Sequence, residues 1–503
     1  MVLIHKAQFP LGIIEKQATR NAIYSYLGAG LGFITVMWQS HLFSTDEVGL
    51  LRILVSVSML FGQLSNLGFS NVIIRFFPRF KNKEKGNNGF LLYILIVSLV
   101  GFLLCLAGFY LFRDKIIASN IEKSKLFVDY LFYVMPLAFF TLFFFVFDAY
   151  LRAGYSSVIG SLSKDFIQRI LILVVIALYF LKCISFPVFV FLYVVATCIP
   201  TAILLYTIIN NDEWHLKPVR GFIDKKLSVQ MISLAVFSMF STFSGAIILN
   251  IDIIMVNYKL GLSETGIYGI AFYFGSIILI PARSIGRVTS SLVAEAFNKN
   301  DLNEIHSLYK KSSNSLLTIG VLLFIGIALN IDNIMHFLPK QYESGKYVIL
   351  IVSAGYLIDI GTSINQTIII NSKHYYYDTF FVISIVFITV LLNNYLIPVY
   401  GIMGAAIATA ATVVWSNILR CGFVLAKYKM QPFDLNSIKI VVISIAVFLI
   451  GWFIPAISNF LIDILVRSSV AGGLFILLIL KWEATPEINN KIRKNLKRFS
   501  ISI

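Results

Sequence analysis

The chain has 503 residues, 58% of them hydrophobic and 13% charged, with a mean hydropathy of +0.84 and a formal net charge of +16. A soluble chain of this size carries about a quarter charged residues and under half apolar ones, so a water-soluble globular protein is excluded. Its 44 Phe and 24 Tyr suit lipid-facing surface and interfacial aromatic belts. The four cysteines, Cys105, Cys183, Cys198 and Cys421, have neither metal nor redox spacing.

The opening, Met1 to Arg20, is interrupted by polar residues and does not read as a cleavable signal, so the first apolar segment is taken as a retained span. Apolar runs of about 20 residues, enough to cross about 30 Å of hydrocarbon, fall near 20–42, 48–72, 89–112, 127–148, 157–181 and 185–210. After a polar stretch they resume near 229–254, 264–285, 312–332, 347–370, 377–398, 402–426, 434–457 and 460–482. The expected fold is all-α and integral to the membrane, with about fourteen transmembrane helices. The fifth and last runs carry charges, but Asp165 and Arg169, like Asp463 and Arg467, stand at the i,i+4 spacing of an intrahelical ion pair.

An even number of spans puts both termini on one side. Placing them in the cytoplasm assigns about 29 of the 41 Lys and Arg to cytoplasmic segments, about 8 to external loops and about 4 to helix interiors. The loop Arg113 to Lys125 departs from this bias, with four basic residues outside. The positive charge therefore reflects topology and attraction to anionic lipid, and calls for no nucleic-acid partner. The tail Lys491 to Arg498 (KIRKNLKR) is too basic to enter the bilayer and is expected on the inner leaflet.

The chain also repeats itself. Residues 44–53 (STDEVGLLRI) and 262–270 (LSETGIYGI) each follow an apolar span and open the next. Aligning Gly49 with Gly266 sets an offset of 217 residues, which places the first span on the seventh and the second on the eighth. The expected organisation is an N-terminal lobe of six helices over 1–212, a cytoplasmic linker over 213–228 and a second six-helix lobe over 229–430. Two further helices over 431–482 and a basic cytoplasmic tail over 483–503 complete it. Two pseudo-symmetric lobes joined by a polar loop form transporter architecture, with the substrate between lobes and access alternating.

Three runs carry a resemblance: NLGFSNVIIRFFPRF (Asn66 to Phe80), NIDIIMVNYKLGLSETGIYGIAFYFGSIILIPARSIGRV (Asn250 to Val288) and LLNNYLIPVYGIMGAAIATA (Leu391 to Ala410). Covering nearly the whole chain in order, the sequence resembles the Wzx-type flippases. These form the polysaccharide-exporter branch of the multidrug/oligosaccharidyl-lipid/polysaccharide exporter superfamily. The resemblance implies a V-shaped two-lobed bundle. It further implies a transporter that turns undecaprenyl-diphosphate-linked oligosaccharide from the inner to the outer leaflet of a bacterial plasma membrane, for O-antigen, capsule or exopolysaccharide. Partners implied are that lipid-linked oligosaccharide, membrane lipids, and a polysaccharide polymerase with other assembly proteins. Lipid II flippases and cation-coupled drug exporters are similar in fold and stand as alternatives. Against the drug exporter, the first span from Arg20 to Phe43 holds no carboxylate. A membrane glycosyltransferase finds no Gly-rich phosphate loop and no DxD pair, so no catalytic residue is assigned.

Small residues mark close packing. Gly401, Gly404, Ala405, Ala406, Ala408 and Ala410 open the twelfth span, Gly28 and Gly32 form a small-xxx-small pair on the first, and Ser238, Ser241 and Gly245 share one face of the seventh. Ionisable residues within spans carry more information, because inserting one costs about 3 kcal/mol or more. Asp359 falls near the middle of the tenth span, followed by Thr362, Ser363, Asn365, Gln366 and Thr367, a stripe that must face protein or water. It is one candidate for a coupling ion, a proton or sodium. Asp252 is the other, although its place near the outer end of the seventh span predicts interfacial exposure. No further cofactor and no structural metal is expected. Arg52, Arg283, Arg287 and Arg75 are candidate ligands of a substrate diphosphate, since guanidinium forks match phosphate oxygens. Snorkelling to the interface accounts for each of them singly.

Overall fold

The computed structural model describes residues 11–489 apart from 83, 155, 157, 218–221 and 223; the side chains of 11–19, 22, 283, 284, 287, 288 and 291 also fall outside the description. The basic run 491–498 therefore lies outside the described residues. Every regular element among the described residues is helical. The first half runs α1 (Leu11–Leu42), α2 (Thr45–Ser65), α3 (Phe69–Phe80), α4 (Phe90–Asn120), α5 (Val134–Ala153), a segment 158–180 that ends in α6 (Gln168–Phe180), and α7 (Phe186–Asn210). The second runs α8 (Lys225–Leu260), α9 (Leu262–Ser276), α10 (Ile280–Asn298), α11 (Leu302–Leu329), α12 (Lys346–Thr362), α13 (Asn365–Asn371), α14 (Tyr376–Tyr400) and α15 (Ile402–Tyr428). Helices α16 (Leu435–Trp452) and α17 (Phe460–Lys481) follow.

The ends of these helices are written in local chemistry. The Asp434 carboxylate accepts from the Ser437 amide while the Ser437 hydroxyl accepts from the Asp434 amide, a capping box that starts α16. Asn459 caps α17 through the amides of Leu461 and Ile462, and Pro187 sits in the first turn of α7, where its missing N–H costs nothing.

Twelve helical stretches among the described residues are long and apolar enough to cross a membrane. The two other expected spans fall on α1 and on 158–180, the latter charged by Lys164, Asp165 and Arg169. Side chains such as Leu104, Leu111 and Phe387 are 64%, 81% and 67% exposed, which water would not tolerate over so many neighbours but lipid does. At the 217-residue offset the bounds recur within a few residues: α2 and α3 (45–80) against α9 and α10 (262–298), and α7 against α15.

Three spans break where continuous helices were expected. The second stops at Ser65, because Leu67 and Gly68 both take positive φ (50° and 76°), and restarts as α3. Asn66 holds this corner, accepting from the Ser70 amide and donating to its hydroxyl. Helix α3 is amphipathic, burying Phe69, Val72, Ile73, Phe76, Phe77 and Phe80 against α5, with Phe80 stacked on Phe90 at 4.1 Å. In the fifth, Leu162–Ile167 winds as a π-helix. Its i to i+5 bonding takes Asp165 and Arg169 out of register, and no ion pair closes between them. The expected pair in the last span does form, Arg467 Nε to Asp463 Oδ2 at 2.8 Å. The tenth span breaks at Ser363, whose φ of 56° is strained for a residue with a Cβ.

The chain divides into two compact units, Met1–Leu42 with Ile53–Asn250, and Phe43–Arg52 with Ile251–Ile503. In the first, α1 packs on 158–180 so closely that a Cβ at Gly28 would lie 2.2 Å from the Asp165 carbonyl oxygen. In the second, α15 packs on α12 and α14. Gly404 lets the Leu396 carbonyl approach to 2.1 Å of where its Cβ would stand, and Gly355 faces Ala410. Such contacts hold helices together in lipid, where burial of apolar surface supplies little net drive. The second unit also contains the contact that draws residues 43–52 into it. Gly49 and Gly266 meet, a Cβ on either falling 2.1 Å from a backbone oxygen of the other segment (Leu262 and Thr45), and Thr45 Oγ1 lies 2.7 Å from Ser263 Oγ.

Candidate functional site

Asp252 is not exposed at an interface. It is 6% accessible and ringed by side chains from three helices. Asn393 Nδ2 of α14 donates to Oδ1 at 2.6 Å; Thr409 Oγ1 of α15 and Tyr268 OH of α9, the latter at 3.2 Å, donate to Oδ2. Spacing along α8 located Asp252 near a helix end, but its orientation toward the bundle depends on residues far away in sequence. Beside it Asn393 Oδ1 is buried without a donor. An acceptor left bare next to a carboxylate inside a membrane protein is costly unless something positive lies there.

Asp359 is half-buried on α12, one turn before the break. Asn417 Nδ2 of α15 donates to its Oδ1 at 2.9 Å, and Asn417 Oδ1 in turn accepts from Thr362 and Asn365. The stripe noted in the sequence thus faces protein, satisfying groups around the Ser363 corner. Ser363 bonds Ser312, and Gln366 Nε2 donates to Asp378. Asp378 also holds Arg420 in a buried ion pair at 3.1 Å. The carboxylates Asp252 and Asp359 therefore share α15 as donor strip, through Thr409 and Asn417, about 12 Å apart along the axis.

The cations are distributed differently. Arg52 lies in the second unit, its stem against Gly269, where a Cβ would be 2.9 Å from its Cγ. Arg75 is exposed on α3 in the first unit. Its neighbour Arg79 donates to Gln230 at 3.1 Å and stands over the Phe76 ring. Arg283 and Arg287 occur on α10, but their side chains lie outside the described residues. Tyr268, Asn393, Thr409, Asn417 and the Asp378–Arg420 pair were not singled out from sequence. Asn393 and Thr409 sit inside the LLNNYLIPVYGIMGAAIATA run, where a polar residue amid apolar ones was the available signal.

These features define a multi-pass helical membrane protein with internally repeated helices and a buried, hydrogen-bonded carboxylate, Asp252, in its second unit. The chain belongs to the polysaccharide biosynthesis protein family (Polysacc_synt), whose model matches residues 16–290. Two curated relatives come from Haloferax volcanii. The probable low-salt glycan biosynthesis flippase Agl15 is 22% identical over 44% of this chain and 48% of its own, and the probable flippase AglR 24% over 34% and 36%. The chain thus spans about half the length, or less, of the curated relatives it matches. Among solved structures, the lipid II flippase MurJ in an inward closed conformation superposes with a TM-score of 0.73 over 92% of this chain and 98% of that one, at 15% identity. An inward-facing MATE multidrug transporter gives 0.59 over 81% and 98%, at 12% identity.

Proposed function

We propose that this protein is a flippase that moves undecaprenyl-diphosphate-linked oligosaccharide repeat units across the bacterial plasma membrane for surface polysaccharide. The family match carries this reading, joined to relatives that are themselves named as flippases, one of them in glycan biosynthesis. The substrate implied has three parts, and the chain offers chemistry for two of them. The diphosphate calls for cations near the membrane, for which Arg52, Arg75, Arg283 and Arg287 are the candidates. The polyprenyl tail calls for an apolar surface open to lipid. A groove of about 630 Å³ in the second unit, lined by Leu317, Val321, Phe324, Leu357, Val441 and Phe448, supplies one. The superposition on MurJ favours lipid II as a second reading for the same anionic chemistry.

Coupling falls to Asp252. The orphaned Asn393 Oδ1 beside its carboxylate fits a bound sodium ion or a proton on the carboxyl, with Thr409 and Tyr268 completing the oxygen set. Asp359 is the second candidate.

Complementation tests the head-group role. In a strain lacking its own flippase, the Arg283→Ala, Arg287→Ala double variant is expected to abolish export at matched expression. Lys at either position, which keeps charge but loses the bidentate fork, should lower it partly. Full export by the double Ala variant would reduce these residues to interfacial charges. The topology proposed with this reading puts both termini in the cytoplasm. Single cysteines replacing Lys6, Lys217 and Lys494 should react with impermeant maleimide only in inverted vesicles. Labelling of any of them from outside would overturn that orientation.

A further inference from the structure

A half-buried cation in the first unit is used by none of this. The π-helical turn Leu162–Ile167 splits two adjacent charges between neighbours: Asp165 accepts from Ser25 Oγ of α1 at 3.1 Å, while Lys164 turns to α5. There its ammonium stands 4.5 Å from the Phe144 ring centre and 5.2 Å from that of Phe145. Aromatic faces attract a cation but leave its three donors unfilled. Among the described residues no ion pair closes onto Lys164, and the nearby Asp148 is engaged by Arg152 at 2.9 Å.

Lys164 lines a cavity of about 70 Å³ enclosed by α2, α5, α7 and the 158–180 segment. That is roughly five times the room one water needs. Neither Asp148 nor Asp165 is part of its wall. Its other polar lining divides in two. Ser58, Thr197 and Thr201 already donate to the carbonyls of Val134, Tyr193 and Phe140. The Thr141 hydroxyl and the Gln168 amide line the same space, and among the described residues neither is hydrogen-bonded within the protein. Three half-buried residues with unspent donors, one of them charged, thus border one small space.

We propose that this cavity binds a small anion, held by the Lys164 ammonium, the Gln168 amide and the Thr141 hydroxyl. The anion is either a free halide or a phosphate-type oxyanion. It adds a negative charge beside an ammonium that feels the Asp148 and Asp165 carboxylates only at a distance, with no ion pair closed to either, and the inference does not rest on the flippase reading. The full chain, purified in detergent, is melted by circular dichroism at constant ionic strength in sodium gluconate, sodium chloride or sodium phosphate. Chloride or phosphate should raise the midpoint saturably, and the choice between them tells a halide site from a phosphate site. Lys164→Met should remove that dependence. Gln168→Leu, which keeps the charge and loses one donor, should weaken the apparent anion affinity about tenfold, and it serves alone if the Lys164 variant does not fold. Equal midpoints for the wild-type chain in all three salts would overturn the proposal, as would an undiminished anion response in Gln168→Leu or Lys164→Met.

Discussion

Gly266→Ala is expected to melt well below the wild-type protein and to lose export, whereas Gly422→Ala should not. Both add one methyl to a helix, which by propensity alone stabilises by up to about 1 kcal/mol. At Gly422 nothing lies within 4 Å of the new carbon. At Gly266 it would stand 2.1 Å from the Thr45 carbonyl oxygen, and because that oxygen is backbone, a whole helix end must move. Overpacking of this kind costs about 1–3 kcal/mol, and here it also breaks the Thr45–Ser263 contact. Gly49→Ala should behave like Gly266→Ala, since its methyl would strike the Leu262 carbonyl from the opposite side. The two losses should fall short of additive in the double variant, because either one already opens the same crossing. Thermal unfolding of the purified variants measures this directly. Equal midpoints for Gly266→Ala and Gly422→Ala would mean that the two segments do not meet.

Asp252→Leu is expected to be the most damaging single change in the second unit. It removes an acceptor from Asn393, Thr409 and Tyr268 together. Thr409 keeps the Ala405 carbonyl and Tyr268 can turn to Thr409, but the second Asn393 amide hydrogen is left buried and unsatisfied, at about 1–3 kcal/mol, beside a bulkier side chain forced into the carboxylate's place. Failure to accumulate in the membrane is the expected outcome. Asp252→Asn separates structure from coupling, since it keeps size and an acceptor while removing the charge. That variant should fold and should lose the dependence of export on the sodium or proton gradient. Gradient-dependent export that survives in a stable Asp252→Asn protein would exclude Asp252 as the coupling group and leave Asp359→Asn to be tested in its place.

The all-helical membrane fold was legible because lipid leaves few alternatives. A run of about 20 apolar residues has to be a helix whose backbone bonds to itself. The repeat was legible from Gly49 and Gly266, and the structure gives the reason for glycine at both: each occupies one side of the same crossing. Hydropathy did not show where helices break, since Leu67 and Ser363 are unremarkable residues held at positive φ by their surroundings. Nor did it show the π turn, which undid the expected Asp165–Arg169 pair. The surroundings of Asp252 were hidden for a different reason. Its donors stand 16, 141 and 157 residues away, and only tertiary packing brings them to one carboxylate.

The proposed activity is to turn a lipid-linked, diphosphate-bearing glycan across a bilayer. The direct measurement uses liposomes containing the purified chain and a fluorescent undecaprenyl-diphosphate oligosaccharide. Exposure of its glycan at the outer surface is followed with an impermeant quencher. Translocation faster than in protein-free liposomes, and not matched by an undecaprenyl monophosphate that lacks the glycan, is the predicted result. A rate equal to that of empty liposomes, with the protein folded and oriented as proposed, would contradict it.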